Sequence, residues 1–252
     1  MENTRSNVLQ SVGLGRPGAP RAIAPDARRQ AFWSLLDHPG VHEFYAEGSA
    51  DAVSVNGFGL GVILSISNGQ EMVWAIHDRS ECEIGRLHGL GVRHMGVAPQ
   101  DLLLVRTRDV RALLGVAEDA LRTRGVHTVL LSTWGEDRAF SLTASRRLSL
   151  AARNGGKRLF LVRAGAAPQP SAAESRWSVR SAASTPMEGG APGRPAFCAT
   201  LLRNRAGARL ETWMMEWDRE GRSFVEPPTL LGRVAPLAAH RPAETPWVRR
   251  RA

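Results

Sequence analysis

The feature that most constrains this chain is an alternation. Short β-prone apolar runs at 41 to 45 (VHEFY), 72 to 76 (MVWAI), 102 to 106 (LLLVR), 128 to 132 (TVLLS) and 158 to 162 (RLFLV) are interleaved with helix-forming segments at 51 to 66, 109 to 123 and 141 to 152. Parallel neighbours cannot be joined by a tight hairpin, so alternating strands and helices build a mainly parallel sheet with helices on both faces. That predicts an α/β fold. An amphipathic stretch at 26 to 36 (DARRQAFWSLL) adds a helix, with Asp26 after Pro25 as its start signal. Beyond about residue 175 the pattern changes: SRWSV, FCATLLRNR and ETWMMEWD are three strand-like runs between Gly-rich breaks, and they predict an antiparallel extension of the sheet. No internal repeat is visible.

A length of 252 residues with 43% hydrophobic content supports one core with appendages. The expected division is an N-terminal arm over 1–22, rich in Gly, Pro and Ser, a folded body over 23–226, and a Pro/Arg-rich tail over 227–252 ending in Arg249, Arg250 and Arg251. No run of about 18 apolar residues and no secretory pattern at Met1 to Gln10 is present, so the expected location is the cytoplasm, away from membranes. Cys82 and Cys198 form neither a disulfide framework nor a zinc pattern, and both read as buried thiols. The net charge of +9 favours an anionic partner, nucleic acid or an acidic protein surface. Almost all of it is arginine, because Lys157 is the only lysine.

That single lysine decides the nucleotide question. A P-loop needs a glycine-rich turn after a strand, a lysine for the phosphates and a Ser or Thr for magnesium. Around Lys157, Ala151 stands at the first glycine position, Arg158 replaces the hydroxyl residue, and a strand follows where a helix is required. The segment EFYAEGSADAV at 43 to 53 has the right layout of strand, turn and helix start, but not the chemistry: Ala46 and Asp51 replace the glycines, Ala52 the lysine and Val53 the hydroxyl residue. Asp51 would place a carboxylate at the helix N-terminus, where a phosphate would otherwise lie. TVLLS ends in Ser132, where an ATPase strand of this kind carries a magnesium-binding aspartate. The expectation is a protein with no catalytic residues, no cofactor and no metal.

Other patterns carry less. Gly13, Gly15 and Gly18 match GxGxxG, but Pro17 and Pro20 forbid the helix that should follow. Gly57, Gly59 and Gly61 lie in the apolar helix and read as close packing on the sheet. The histidines lack metal spacing, and Asp78, Glu81 and Glu83 read as a solvated turn.

Four segments carry a resemblance: GRLHGLGVRHMGVAPQDLLLVRTRD (85 to 109), LTASRRLSLAARNGG (142 to 156), SAAESRWSV (171 to 179) and ATLLRNRAGARLETWMMEWD (199 to 218). Over about 40 to 218 the chain resembles the ImuA family of bacterial accessory proteins in damage-induced mutagenesis, a family itself similar to the RecA-like recombinase core. The resemblance implies a RecA-like fold with a degenerate ATP site. It implies translesion DNA synthesis with two partners, an ImuB-type homologue of Y-family polymerases and an error-prone replicative-type DNA polymerase. The recombinase RecA and DNA, through the basic surface, are further implied partners. Arg203, Asn204 and Arg205 are similar to the subunit-facing strand of recombinases, whereas 133 to 140 and 164 to 174, where recombinases carry DNA-holding loops, are short. Arg146, Arg147, Arg203, Arg205 and Arg249 to Arg251 are the candidate partner or DNA contacts; the bland alternative for Arg146 and Arg147 is a solvated helix face. Trp177, Trp213 and Trp217 read as core. Two other functions fit the same layout, a division inhibitor resembling SulA and a regulator of the recombinase filament.

Overall fold

The computed structural model describes residues 25–67, 71–187, 189 and 191–227. Nine strands form one sheet: β1 Gly40–Ala46, β2 Met72–His77, β3 Leu102–Thr107, β4 Thr128–Trp134, β5 Arg158–Ala164, β6 Ser175–Ser181, β7 Ala196–Asn204, β8 Thr212–Asp218 and β9 Ser223–Val225. They are ordered β3-β2-β4-β5-β1-β6-β7-β8-β9. Every pair from β3 to β6 is parallel, and the pairs from β6 to β9 are antiparallel. Among the described residues six α-helices complete the body: α1 Pro25–Ser34, α2 Ala52–Ser67, α3 Asp78–Ile84, α4 Gly89–Met95, α5 Val110–Arg122 and α6 Leu142–Asn154. The result is a mainly parallel α/β sheet with helices on both faces, extended by antiparallel strands.

Alternation along each strand sorts the core into two layers. On one face Phe44, Trp74, Leu130, Phe160 and Val162 join side chains from α1, α2 and α4; on the other Val41, Val73, Val129, Leu131 and Leu159 meet α5 and α6. The two long helices on the second face start on side-chain caps, Asp109 accepting from Ala112 N and Ser141 from Ala144 N. Helix α2 packs close against the sheet. A Cβ on Gly59 would lie 3.2 Å from Leu130 Cδ1, and one on Gly61 2.7 Å from Phe224 Cζ and 3.1 Å from Trp217 Cε3. Glycine therefore lets α2 approach both the parallel core and the antiparallel extension, as the sequence suggested. By length and composition Ser49–Ser67 is apolar enough to cross a membrane, but here half of that stretch is buried within the body, against the sheet.

Several expectations need correction. The SRWSV strand, β6, runs parallel to β1, with His42, Glu43 and Phe44 opposite Ser175, Arg176 and Trp177; the antiparallel extension begins one strand later. The crossover it requires is irregular, unlike the usual helix, and runs against α6, where Ala172 N donates to Ser145 Oγ at 3.1 Å and Ala173 is buried. Asp78, Glu81 and Glu83 lie on α3, a helix where a turn was expected, because Glu81 reaches Arg106 on β3 at 2.8 Å and fixes the segment. Cys82 on that helix is exposed, while Cys198 is buried as expected. Trp177, Trp213 and Trp217 are all core residues.

Candidate functional site: the carboxyl end of the sheet

In open α/β sheets, ligands bind beyond the carboxyl ends of the strands. Here β1 ends at Ala46, a short turn follows, and α2 begins at Ala52, so strand, bend and helix occur where the sequence placed them. Asp51 organises the bend. Its Oδ2 accepts from Gly48 N at 3.2 Å, and its Oδ1 accepts from both the backbone N and the hydroxyl of Ser181 at 2.8 Å. A phosphate in a P-loop would draw on N–H donors of such a turn. The carboxylate takes that role from within the chain and ties the turn to the end of β6.

Ser132 lies on β4 beside β2 and is buried. The indole Nε1 of Trp74 donates to its Oγ at 2.8 Å, and that hydroxyl donates to Asn56 Oδ1 at 2.5 Å. Asn56 Nδ2 in turn donates to Ala52 O, closing the circuit onto the first turn of α2. The hydroxyl's one hydrogen is engaged, and Trp74, Ser132 and Asn56 together form part of one cleft wall. Asn56 was missed in the sequence, where an amide within an apolar helix was the available signal, and Trp74 gave no signal before the β2/β4 register was known.

Val53, at the hydroxyl position of the motif, is 61% exposed and opens onto a cleft of about 290 Å3. Gly57, Ile76, Leu87, Val92 and Met95 give it a largely apolar lining. Ser80, also on its wall, is buried with no hydrogen-bond partner for its hydroxyl among the described residues. Ala52 and Val53 present no cation or hydroxyl. No cluster of three or more His, Cys, Asp or Glu suited to a metal occurs among the described residues.

Lys157 lies at the opposite end of the sheet. It follows the positive-φ Gly156 after α6, and its Nζ donates to Ala120 O at 3.1 Å and to Thr123 O. These are carbonyls at the C-terminus of α5, where a cation is favoured. Desolvation by burial lowers the pKa of this amine.

The candidate contact arginines separate into two groups. Arg146 and Arg147 are exposed on α6, and Arg147 reaches Glu118 on α5 at 2.7 Å. Arg203 and Arg205, at and just beyond the end of β7, are exposed as well: Arg203 Nη1 donates to Ala173 O at 3.3 Å, and Arg205 lies 3.8 Å from Glu174, which also pairs with Arg153. Arg249, Arg250 and Arg251, like the N-terminal arm, lie outside the described residues.

The SRW segment proves to be a lock between β6 and β1. Ser175 Oγ lies 2.7 Å from His42 Nδ1 and accepts from Trp177 Nε1 at 2.8 Å. With His42 Nε2 against His38 O at 3.1 Å, the circuit closes for the neutral ring protonated on Nε2. Burial lowers the His42 pKa to about 4. Arg176 pairs with Glu43 at 2.8 Å with both groups largely buried.

The chain is 34% identical over 142 residues to Protein ImuA of Caulobacter vibrioides, from strain NA1000 / CB15N and equally from strain ATCC 19089 / CIP 103742 / CB 15. The match covers 52% of this chain, which spans 56% of the length of these relatives. The RadB recombinase crystal structure superposes with a TM-score of 0.47 at 12% identity, covering 73% of this chain and 90% of that one. No protein-family model matches the chain.

Proposed function

We propose that this protein is a non-catalytic accessory factor of damage-induced mutagenesis. In this reading it supports translesion DNA synthesis together with an ImuB-type polymerase homologue and an error-prone replicative-type DNA polymerase. The observation that carries the proposal is the combination of similarity to Protein ImuA with side chains that occupy the nucleotide end of the sheet. Asp51 supplies the negative charge at the start of α2, and the hydroxyl of Ser132 is engaged by Trp74 and Asn56, so the motif positions offer neither a lysine for phosphate nor a carboxylate for magnesium. What remains is surface: the Arg146/Arg147 helix, the β7 end, and the apolar cleft beside Val53.

Co-purification from DNA-damaged cells tests the proposal. Tagged protein is expected to bring down the ImuB-type partner, and its deletion is expected to lower damage-induced mutation frequency. Filamentation on overexpression with unchanged mutation frequency would favour the division-inhibitor reading, and inhibition of strand exchange would favour action on the recombinase filament. Equilibrium titration with labelled ATP and magnesium is expected to show no saturable binding.

A further inference from the structure

On the face of the sheet opposite the nucleotide cleft, but at the same carboxyl end, lies a buried charge cluster whose charges do not balance. Arg163, the penultimate residue of β5, is 2% exposed. Its Nη1 donates to Tyr45 Oη at 3.2 Å, and its guanidinium lies over the Phe140 ring at 4.5 Å. Its Nε and Nη2 have no partner among the described residues. Arg176 reaches over the other side of the Tyr45 environment, 5.9 Å from the ring centroid. Glu43 is the carboxylate of the cluster, and it pairs with Arg176 at 2.8 Å. The Gln169 carbonyl and the Ser171 hydroxyl take up Arg176 Nη2. Two buried guanidiniums thus face one carboxylate. Of the acidic residues on the covering segment, Glu136 is exposed and Asp137 turns its Oδ1 to Ala139 N at 2.7 Å.

A buried cation with open donors is costly unless an opposite charge meets it. The cavity between Arg163, Glu43, Phe140 and Ser171 measures about 20 Å3, room for about one water. A water can satisfy donors but brings no charge. The face of Phe140 supplies a cation–π contact, weaker than a charge-assisted hydrogen bond. Nε and an Nη of one guanidinium form the fork that a planar or tetrahedral oxyanion meets with two oxygens. Phe140 is partly buried, on a segment that leaves the sheet at Gly135 (φ 79), and the facing segment leaves at Gly165 (φ 61).

We propose that Arg163 is the floor of an oxyanion site covered by Phe140: a phosphate or carboxylate group enters as Phe140 swings outward and binds across Nε and Nη2. The proposal is independent of the accessory reading above. The chemistry is shared by free phosphate and by a carboxylate, so both are probed on the full chain, as sodium phosphate and sodium acetate, by calorimetric titration and thermal unfolding against sodium chloride of equal ionic strength. At least one oxyanion is expected to bind at millimolar concentration or below and to raise Tm above the chloride control, and the tighter of the two identifies the class. Phe140→Ala is expected to bind it several-fold more tightly, because no ring has to be displaced. Arg163→Lys keeps the charge but loses the fork and is expected to bind at least tenfold more weakly. Arg163→Met is expected to lose the effect altogether; should it fail to fold, the lysine and Phe140 variants decide alone. Equal behaviour of phosphate, acetate and chloride in both the wild type and Phe140→Ala overturns the site, as does unchanged oxyanion affinity in Arg163→Lys.

Discussion

The two faces of this sheet end in polar clusters of opposite design. On the α2 face, Trp74, Ser132 and Asn56 pass hydrogen bonds from one to the next and end on the Ala52 carbonyl, with no formal charge in the chain of contacts. On the α5/α6 face, Glu43, Tyr45, Arg163 and Arg176 concentrate charge and leave donors of Arg163 open. A neutral, closed circuit makes no demand on solvent or ligand, whereas an open charged one does, because the low-dielectric interior raises the cost of every unmatched group. On the α2 face the polar groups satisfy one another, whereas on the opposite face Nε and Nη2 of Arg163 are left without a partner among the described residues.

The largest effect is expected from forcing the closed face to behave like the open one. Ser132→Asp introduces the acidic residue type of an ATPase strand but places a carboxylate between an indole and an amide, while Arg86 on the same cleft wall is exposed to solvent. Stability is expected to fall by about 3–5 kcal/mol, the cost of an uncompensated buried charge. Because a desolvated carboxylate gains by protonation, the deficit in denaturant midpoint is expected to shrink on acidification. A variant as stable as wild type at neutral pH would mean that the circuit is open to water.

The complementary change on the charged face is Glu43→Gln. It keeps the size and an acceptor oxygen but removes the charge opposite two guanidiniums, so a loss of roughly 3 kcal/mol is expected. If the cluster accepts an oxyanion, added phosphate is expected to recover more stability in this variant than in wild type. Chemical denaturation with and without phosphate measures both effects.

A third cluster, His42–Ser175–Trp177, sets the pH response of the closed design. Its histidine has a folded pKa of about 4 against 6.5 for the free side chain, because burial opposes the charged ring. The depressed value means that the unfolded chain binds the proton first. The contribution is therefore complete above pH 6.5 and is lost as pH falls toward 4, at most about 3 kcal/mol at 1.36 kcal/mol per unit. Unfolding between pH 7 and pH 4 is expected to show this loss in wild type and a flatter profile in His42→Gln.

How much of this could be read beforehand follows from where the information resides. Every strand with a clear apolar run, and the helices α2, α5 and α6, announce themselves through periodicity. Helices α3 and α4 do not, because one is polar and short and the other carries Gly89 and Gly91, so their positions depend on contacts such as Glu81 with Arg106. The direction of β6 escaped because a parallel crossover without a helix has no local signature. The strand, bend and helix around positions 46, 51, 52 and 53 were legible by counting along a motif, while the hydrogen bonds of Asp51 to Ser181 were not. The Trp74–Ser132 contact and the Arg163–Tyr45 contact depend on strand register, which the apolar run RLFLV conceals by ending one residue before Arg163. The SRW motif was legible as a resemblance, while its physical reason, three successive pairs with β1, appears only in the register.

The smallest effect bears most directly on why the α2 face is closed. Asp51→Ala removes a carboxylate that accepts from Gly48 N, Ser181 N and Ser181 Oγ at the surface, so the expected cost is about 1 kcal/mol, typical of losing an N-terminal cap. The global measurement is less telling than a local one. The Ser181 amide is expected to exchange faster in the variant, while amides in the centre of β1 keep their protection. The same carboxylate predicts an order of events in any attempt to rebuild the site. Ala52→Lys with Val53→Thr supplies the missing phosphate and magnesium groups but leaves Asp51 at the start of α2, where it repels a triphosphate and holds the turn's donors. That double variant is expected to bind labelled ATP no better than wild type, and only the further changes Ala46→Gly and Asp51→Gly are expected to produce measurable affinity. Binding by the double variant alone would show that Asp51 is a bystander and that the lysine was the whole of what the site lacked.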